Sequence, residues 1–250
     1  LYNLGWVYYL QGRFERAATF TGQAADRLIE NEIWLGSVLA PSHTELQQGH
    51  YSAAVQIVAR ITPSLTPSWQ VMARAVEAYL RGAAALAEAE WRTAGEQLRR
   101  SLALLELTPD YHYRFPYACL ALVHRASGAE EEAAQSLATE LRMALASRTA
   151  PALLFSLLVA GLILSDRGEV ERTTEIYTRV WQEPFVYNSV WLREVAGREL
   201  EEIAARLPAG ARAAAEKRGR ALDLWETAAA LLREFDALAS LSSSTPDAGE

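Results

Sequence analysis

Five positions constrain this chain more than anything else in it. Gly12, Gly49, Ala89, Gly128 and Gly168 follow one another at intervals of 37, 40, 39 and 40 residues. On either side of each lie stretches whose apolar residues recur at i, i+3 and i+4, so each mark reads as the turn of a helical hairpin. In the first, Leu4-Gly5-Trp6-Val7-Tyr8 leads to Gly12-Arg13-Phe14 and on to Ala17 and Ala24. A glycine past a helix end supplies the left-handed backbone that terminates it. One hairpin has no means of burying its own apolar face, so hairpins repeated at a near-constant period must stack on their neighbours. The expected fold class is all-α, a right-handed superhelical solenoid of antiparallel helix hairpins with a long C-terminal capping helix.

The pattern places helices at about residues 1–11 and 14–30, 32–48 and 51–61, 68–87 and 91–107, 113–126 and 130–146, and from 152 through the turn at 168 to 182. Pro41 lies inside one of these and is expected to kink or split it. Residues 62–67, Thr-Pro-Ser-Leu-Thr-Pro, form a linker whose Thr66 or Ser68 is placed to cap the next helix. After Pro184 the rhythm changes: one helix is expected over 187–207, a turn at Pro208-Ala209-Gly210, and a long Ala-rich helix over 211–238. Leu222, Trp225, Ala229, Leu232 and Phe235 would form its apolar stripe. The domain plan is five hairpins over 1–182, a capping helix pair over 183–240, and a disordered Ser-, Pro- and acid-rich tail over 241–250.

These hairpins resemble the tetratricopeptide repeat, whose signature is W-x2-L-G-x2-Y, then A-x3-F, then P. The first carries Leu4-Gly5-x2-Tyr8, Gly12, Phe14 and Ala17, but has Thr21 where an aromatic is usual and no closing proline. The second keeps Gly49, Tyr51 and Ala54; the third Gly82, Trp91, Ala94 and Leu98; the fourth Ala121, Gly128, Ala133 and Leu137; the fifth Gly161, Gly168 and Tyr177. The likeness spans residues 1–182, with a period longer than the family's 34. This divergent style is similar to the helical sensor regions of bacterial LuxR-type and antibiotic-regulatory transcription factors and of STAND signalling ATPases. That resemblance implies a regulatory, cytoplasmic fragment of a larger bacterial signalling or transcription-regulating protein. The absence of an initiating Met, with the chain opening inside a helix, gives the same expectation. The family's chaperone-clamping modules use inner-face Lys and Asn, which are missing at the corresponding places here.

Composition narrows the functions further. A net charge of −7 opposes direct nucleic-acid binding, which needs clustered cations. Lys217 is the only lysine, and no G-x4-G-K-[S/T] loop precedes it. Cys119 is the only cysteine, so an intramolecular disulfide is impossible. The most apolar run, Ala152 to Leu164, falls short of the roughly 18 residues of a membrane span and suits a buried helix. His43, His50, His112 and His124 lack metal-ligand spacing. The acid groups Glu130-Glu131-Glu132 and Glu199, Glu201 and Glu202 suit helix first turns and pairing with Arg193, Arg198 and Arg206. No enzyme activity, cofactor, metal or membrane contact is expected.

What remains is recognition. By helical register Tyr2, Trp6 and Tyr9 fall on the face of the first helix that does not pack on its partner. Leu39, His43, Tyr79, Leu122 and Arg125 would point into the concave groove. Aromatic and arginine side chains so placed are peptide anchors. The expected function is a non-catalytic scaffold or sensor that takes a protein or peptide in its groove. The alternative is a sensor for an apolar small-molecule effector in the same groove. Two further aromatic groups, Tyr111 to Phe115 and Trp181, Phe185, Tyr187 and Trp191, read as plugs between unevenly spaced hairpins.

Overall fold

The computed structural model describes residues 1–28, 36–107 and 116–242. Residues 32–35, the Tyr111–Phe115 aromatic group and the tail beyond 242 therefore lie outside the description. Every regular element among the described residues is helical. In chain order these are α1 (Tyr2–Leu10), α2 (Phe14–Leu28), α3 (Gly36–Gln47), α4 (Tyr51–Ile61), α5 (Pro67–Ala87), α6 (Trp91–Leu105), α7 (Pro116–Ala126) and α8 (Glu130–Ser147). They continue with α9 (Ala150–Asp166), α10 (Val170–Val180), α11 (Pro184–Tyr187), α12 (Val190–Leu192), α13 (Arg198–Ala205), α14 (Ala209–Arg220) and α15 (Leu224–Ser242).

The five turn marks share one local structure. Gly12, Gly49, Ala89, Gly128 and Gly168 have φ of +68°, +80°, +56°, +74° and +82°. At each, the following residue's N–H reaches back five positions to the last helical turn: Arg13 to Tyr8, His50 to Glu45, Glu90 to Ala85, Ala129 to His124 and Glu169 to Leu164, all within 2.8–2.9 Å or 3.0 Å. This is the Schellman closure of a helix end, which satisfies carbonyls that the helix itself leaves unpaired. Ala89 adopts it at the cost of its Cβ in a left-handed conformation. Within the hairpins the small residues mark close approaches. A Cβ on Gly5 would lie 2.5 Å from Thr21 Cγ2, and one on Gly82 would lie 2.8 Å from Leu98 Cγ.

The chain forms two compact units, Leu1–Cys119 with Trp181–Val195, and Leu120–Val180 with Ala196–Glu250. This division cuts across the expected boundary at 182, because residues 181–195 group with the first hairpins. In the first unit each helix from α1 to α6 packs on the next, α1 also meets α3, and α3 also meets α5. In the second, α9 is enclosed by α8, α10, α13 and α15, and every residue from Pro151 to Leu164 is buried. No helix among the described residues is long and apolar enough to cross a membrane.

α3 runs through Pro41 without splitting; nearby, Ser42 and Thr44 hydroxyls donate to the Leu39 and Ala40 carbonyls, adding side-chain partners along this helix. Three local expectations are corrected. The helix expected over 187–207 is instead α12, a π-helical turn at Arg193–Gly197, and α13. The long helix expected over 211–238 breaks at Ala221–Asp223, where the Asp223 carboxylate accepts from the Trp225 and Glu226 N–H groups and starts α15 afresh. Thr66 does precede α5, but its hydroxyl meets Ser68 and makes no cap bond.

Candidate functional site

The eight residues expected to line a groove divide sharply by burial. Tyr9, Leu39, His43, Tyr79 and Leu122 are buried, Tyr2 and Arg125 are half-buried, and only Trp6 is exposed. The burials have local causes. Tyr9 packs edge-on against Phe14 and Phe185 and hydrogen-bonds Gln47, and burial raises its hydroxyl pKa. His43 stacks on Tyr79 at 5.9 Å, with Nδ1 2.8 Å from the Leu39 carbonyl. Loss of solvent pushes its pKa down to about 4, so the ring is neutral at pH 7. Burial also raises the Tyr2 hydroxyl pKa. Trp6 stacks on Tyr9 at 5.0 Å.

Leu122 and Arg125 belong to the second unit. There Arg125 uses four of its five N–H donors: Nε and Nη2 meet Asp166 at 2.6 and 2.9 Å, and Nη1 and Nη2 meet Glu199 at 3.1 and 2.6 Å. Burial works against its charge, but the two carboxylates outweigh that and raise its pKa. The 330 Å³ cavity beside it, lined also by Glu130, Asp166 and Arg167, is thus walled by charges already paired, Arg167 with Glu130 at 2.7 Å. An arginine held in this way has only one N–H, on Nη1, left for a ligand.

In the first unit a different arrangement stands at the hairpin turns. Residues 184–192 are laid against the Gly12 and Gly49 turns. Asn188 Nδ2 donates to the Gly12 carbonyl at 3.2 Å, the Ser189 hydroxyl donates to Gln47 at 2.6 Å, and Trp191 Nε1 donates to the Ala83 carbonyl at 2.8 Å. Tyr51 donates to Glu194. A Cβ on Gly12 would lie 2.4 Å from the Pro184 oxygen, and one on Gly49 would lie 2.9 Å from Val190 Cγ1. Of the late aromatic group, Phe185 and Trp191 are buried, as their plugging role requires, whereas Tyr187 is exposed.

Between these turns opens a cavity of about 810 Å³ lined by Gly12, Arg13, Phe14, Glu15, Arg16, Gln48, His50, Asn188 and Val190. Phe14 is buried and forms an aromatic trio with Tyr9 and Phe185, at 5.4 to 5.7 Å. Arg16 lies over the Tyr8 ring at 5.7 Å, and His50 Nδ1 is 2.7 Å from Glu45. Sequence reasoning did not select Arg13, Arg16, Gln48, His50 or Asn188 as a group. The one legible signal was the polar run Arg13-Phe14-Glu15-Arg16 directly after a turn; Asn188 is distant in sequence, and no helical period links it to that turn.

A second feature of the unit is the outer side of α1. Leu4, Trp6, Val7 and Leu10 remain 43%, 38%, 46% and 43% exposed, while Gly5 and Tyr9 on the other side are buried. Among the described residues there is no group of three or more His, Cys, Asp or Glu side chains placed to hold a metal ion, and Cys119 is buried. No protein-family model, no curated protein and no solved structure matches this chain.

Proposed function

We propose that this chain is a non-catalytic protein- or peptide-binding module built from tetratricopeptide-like hairpins stacked as a right-handed solenoid. It would serve in the cytoplasm as a regulatory part of a larger bacterial signalling or transcription-regulating protein. The observation that carries the binding role is the row Leu4, Trp6, Val7 and Leu10. Four large apolar side chains stand in water on a helix whose opposite side is packed. Soluble proteins rarely leave such a contiguous row uncovered unless another surface covers it. The row lies on a convex helix side rather than in an enclosed cavity, and so suits the apolar stripe of a partner helix or extended peptide better than a small molecule. Support for the repeat reading comes from the five equivalent turns and from the packing of α1 on α3 and α3 on α5, the first helices of successive hairpins.

The test is selection from a displayed random peptide library on the intact chain. Enriched peptides should carry apolar residues at i, i+3 and i+4, and Leu4→Asp with Val7→Asp should abolish their binding while the circular dichroism spectrum stays unchanged. Absence of enrichment, or binding indifferent to both substitutions, defeats the proposal.

A further inference from the structure

We infer that the cavity at the Gly12 and Gly49 turns is an oxyanion site that takes a phosphoryl group. Its lining is rich in donors. Among the described residues neither Arg13 nor Arg16 makes an ion pair, and the Arg16 guanidinium lies over the Tyr8 ring. The side-chain amide nitrogen of Gln48 is buried without an acceptor. A buried donor left unpaired is costly, and a native structure that keeps one at a cavity wall gains most from a ligand that accepts from it. His50 also lines the cavity, its ring fixed through Nδ1 by Glu45.

The start of α2 adds to these. The first N–H of the helix with an internal partner is that of Ala17, bonded to the Arg13 carbonyl at 2.9 Å. The N–H groups of Phe14, Glu15 and Arg16 precede it, and Arg13 at the cap position brings no side-chain acceptor. Only Glu15 brings a negative charge to the lining. Elsewhere in the chain several arginines are each held by two carboxylates: Arg125 by Asp166 and Glu199, Arg172 by Glu169 and Glu234, Arg218 by Glu171 and Glu175.

The shape of the donor set selects the anion. A carboxylate offers two oxygens in one plane and is satisfied by a single guanidinium. A phosphoryl group offers three oxygens and up to two charges, enough to accept from two guanidiniums, an amide and a helix start together. The frame is rigid, because Gly12 and Gly49 sit against residues 184–190 with no room for a Cβ. At about 810 Å³ the cavity also has space for the molecule bearing the phosphoryl group, either a phosphorylated peptide side chain or a small phosphorylated compound.

Inorganic phosphate titrated into the intact chain at constant ionic strength is the first probe, followed by nuclear magnetic resonance of ¹⁵N-labelled protein. Saturable binding is expected, with shifts at the Gln48 side-chain amide and the Phe14–Arg16 backbone amides. Arg13→Gln and Arg16→Gln, both at exposed positions, should each weaken it about tenfold or more, whereas Arg142→Gln should not. Matched phosphoserine and serine peptides, and nucleoside monophosphates, then identify the source: whichever phosphorylated class binds more tightly than phosphate alone is the natural one. The proposal is overturned if neither phosphate nor any phosphorylated probe saturates the folded protein. Binding that survives in the Arg13→Gln, Arg16→Gln double variant overturns it equally. Leu4→Asp with Val7→Asp should leave phosphate binding intact, so failure at the apolar row and failure at this cavity are read separately.

Discussion

α1 and α9 are written in nearly the same language. Each is apolar round almost its whole circumference, α1 with one amide, Asn3, and α9 with Ser156, Ser165 and Asp166 as its polar side chains. Yet α9 has fourteen consecutive buried residues and four helices around it, while α1 packs on α2 and α3 and leaves Leu4, Trp6, Val7 and Leu10 in water. Apolar content therefore states what a helix would gain from cover. It does not state that cover exists. The difference between these helices is the difference between a core and a partly uncovered surface.

The strongest way to break that comparison is a matched pair of truncations. Leu158→Ala in α9 should cost about 3–4 kcal/mol, since the side chain is wholly buried and the surrounding helices have little freedom to collapse on the gap. Leu4→Ala in α1 should cost under about 0.5 kcal/mol. Urea unfolding of both variants decides it, and equal losses would mean that α1 is as enclosed as α9.

An acid titration should separate the first unit next. His43 is neutral in the folded state and ordinary in the unfolded chain, its pKa being about 4 when buried against the usual 6.5 of an imidazole in water. As pH falls, the unfolded chain takes up the proton first. Stability from this residue is thus full above pH 6.5 and is lost between pH 6.5 and 4, by about 3 kcal/mol in all. His43→Gln should flatten that part of the stability–pH curve; a curve unchanged by the substitution would show that the ring protonates without cost.

The turns offer a finer contrast. Gly12→Ala meets both a positive φ and the Pro184 carbonyl, whereas Gly168→Ala meets the positive φ alone, with nothing within 4 Å of the added carbon. The first should lose at least about 2–3 kcal/mol and the second about 1 kcal/mol, measured as shifts in the urea midpoint. Similar losses would deny the close seating of residues 184–190 on the Gly12 turn. Smallest of all, Ala89→Gly should stabilise by about 0.5–1 kcal/mol, because it relieves the one turn where an alanine holds φ at +56°. A melting temperature that falls on this substitution would contradict the strain.

Much of the local structure was legible in the residues because its causes are local. Turn chemistry lies within six residues, and all five expected turns close in the same left-handed way. Gly5 and Gly82, kept at the repeat's small positions, do mark close helix approaches, and the run from Ala152 to Leu164 announced a buried helix through its length and flanks. The sites were less legible. Helical register placed Tyr9, Leu39, His43 and Tyr79 toward a groove, and the fold buries all four; register says which residues share a side, but neighbours decide whether that side is covered. The break before α15 was within reach of a closer reading of Asp223 as a cap.

The sequence by itself determined the five turns, the helices flanking them and the burial of α9, since these follow from the i, i+3, i+4 period, from single residues without a Cβ and from apolar run length. Only the tertiary structure decided where the helices after residue 187 break and that α1 is left partly uncovered. It alone brought Asn188 and Val190 to the Gly12 and Gly49 turns and left Arg13, Arg16 and Gln48 with donors to spare. The reason is range. Hydrogen bonds within a helix join residues four apart, whereas Asn188 and Gly12 are joined across 176 positions, a pairing that depends on every packing choice made between them.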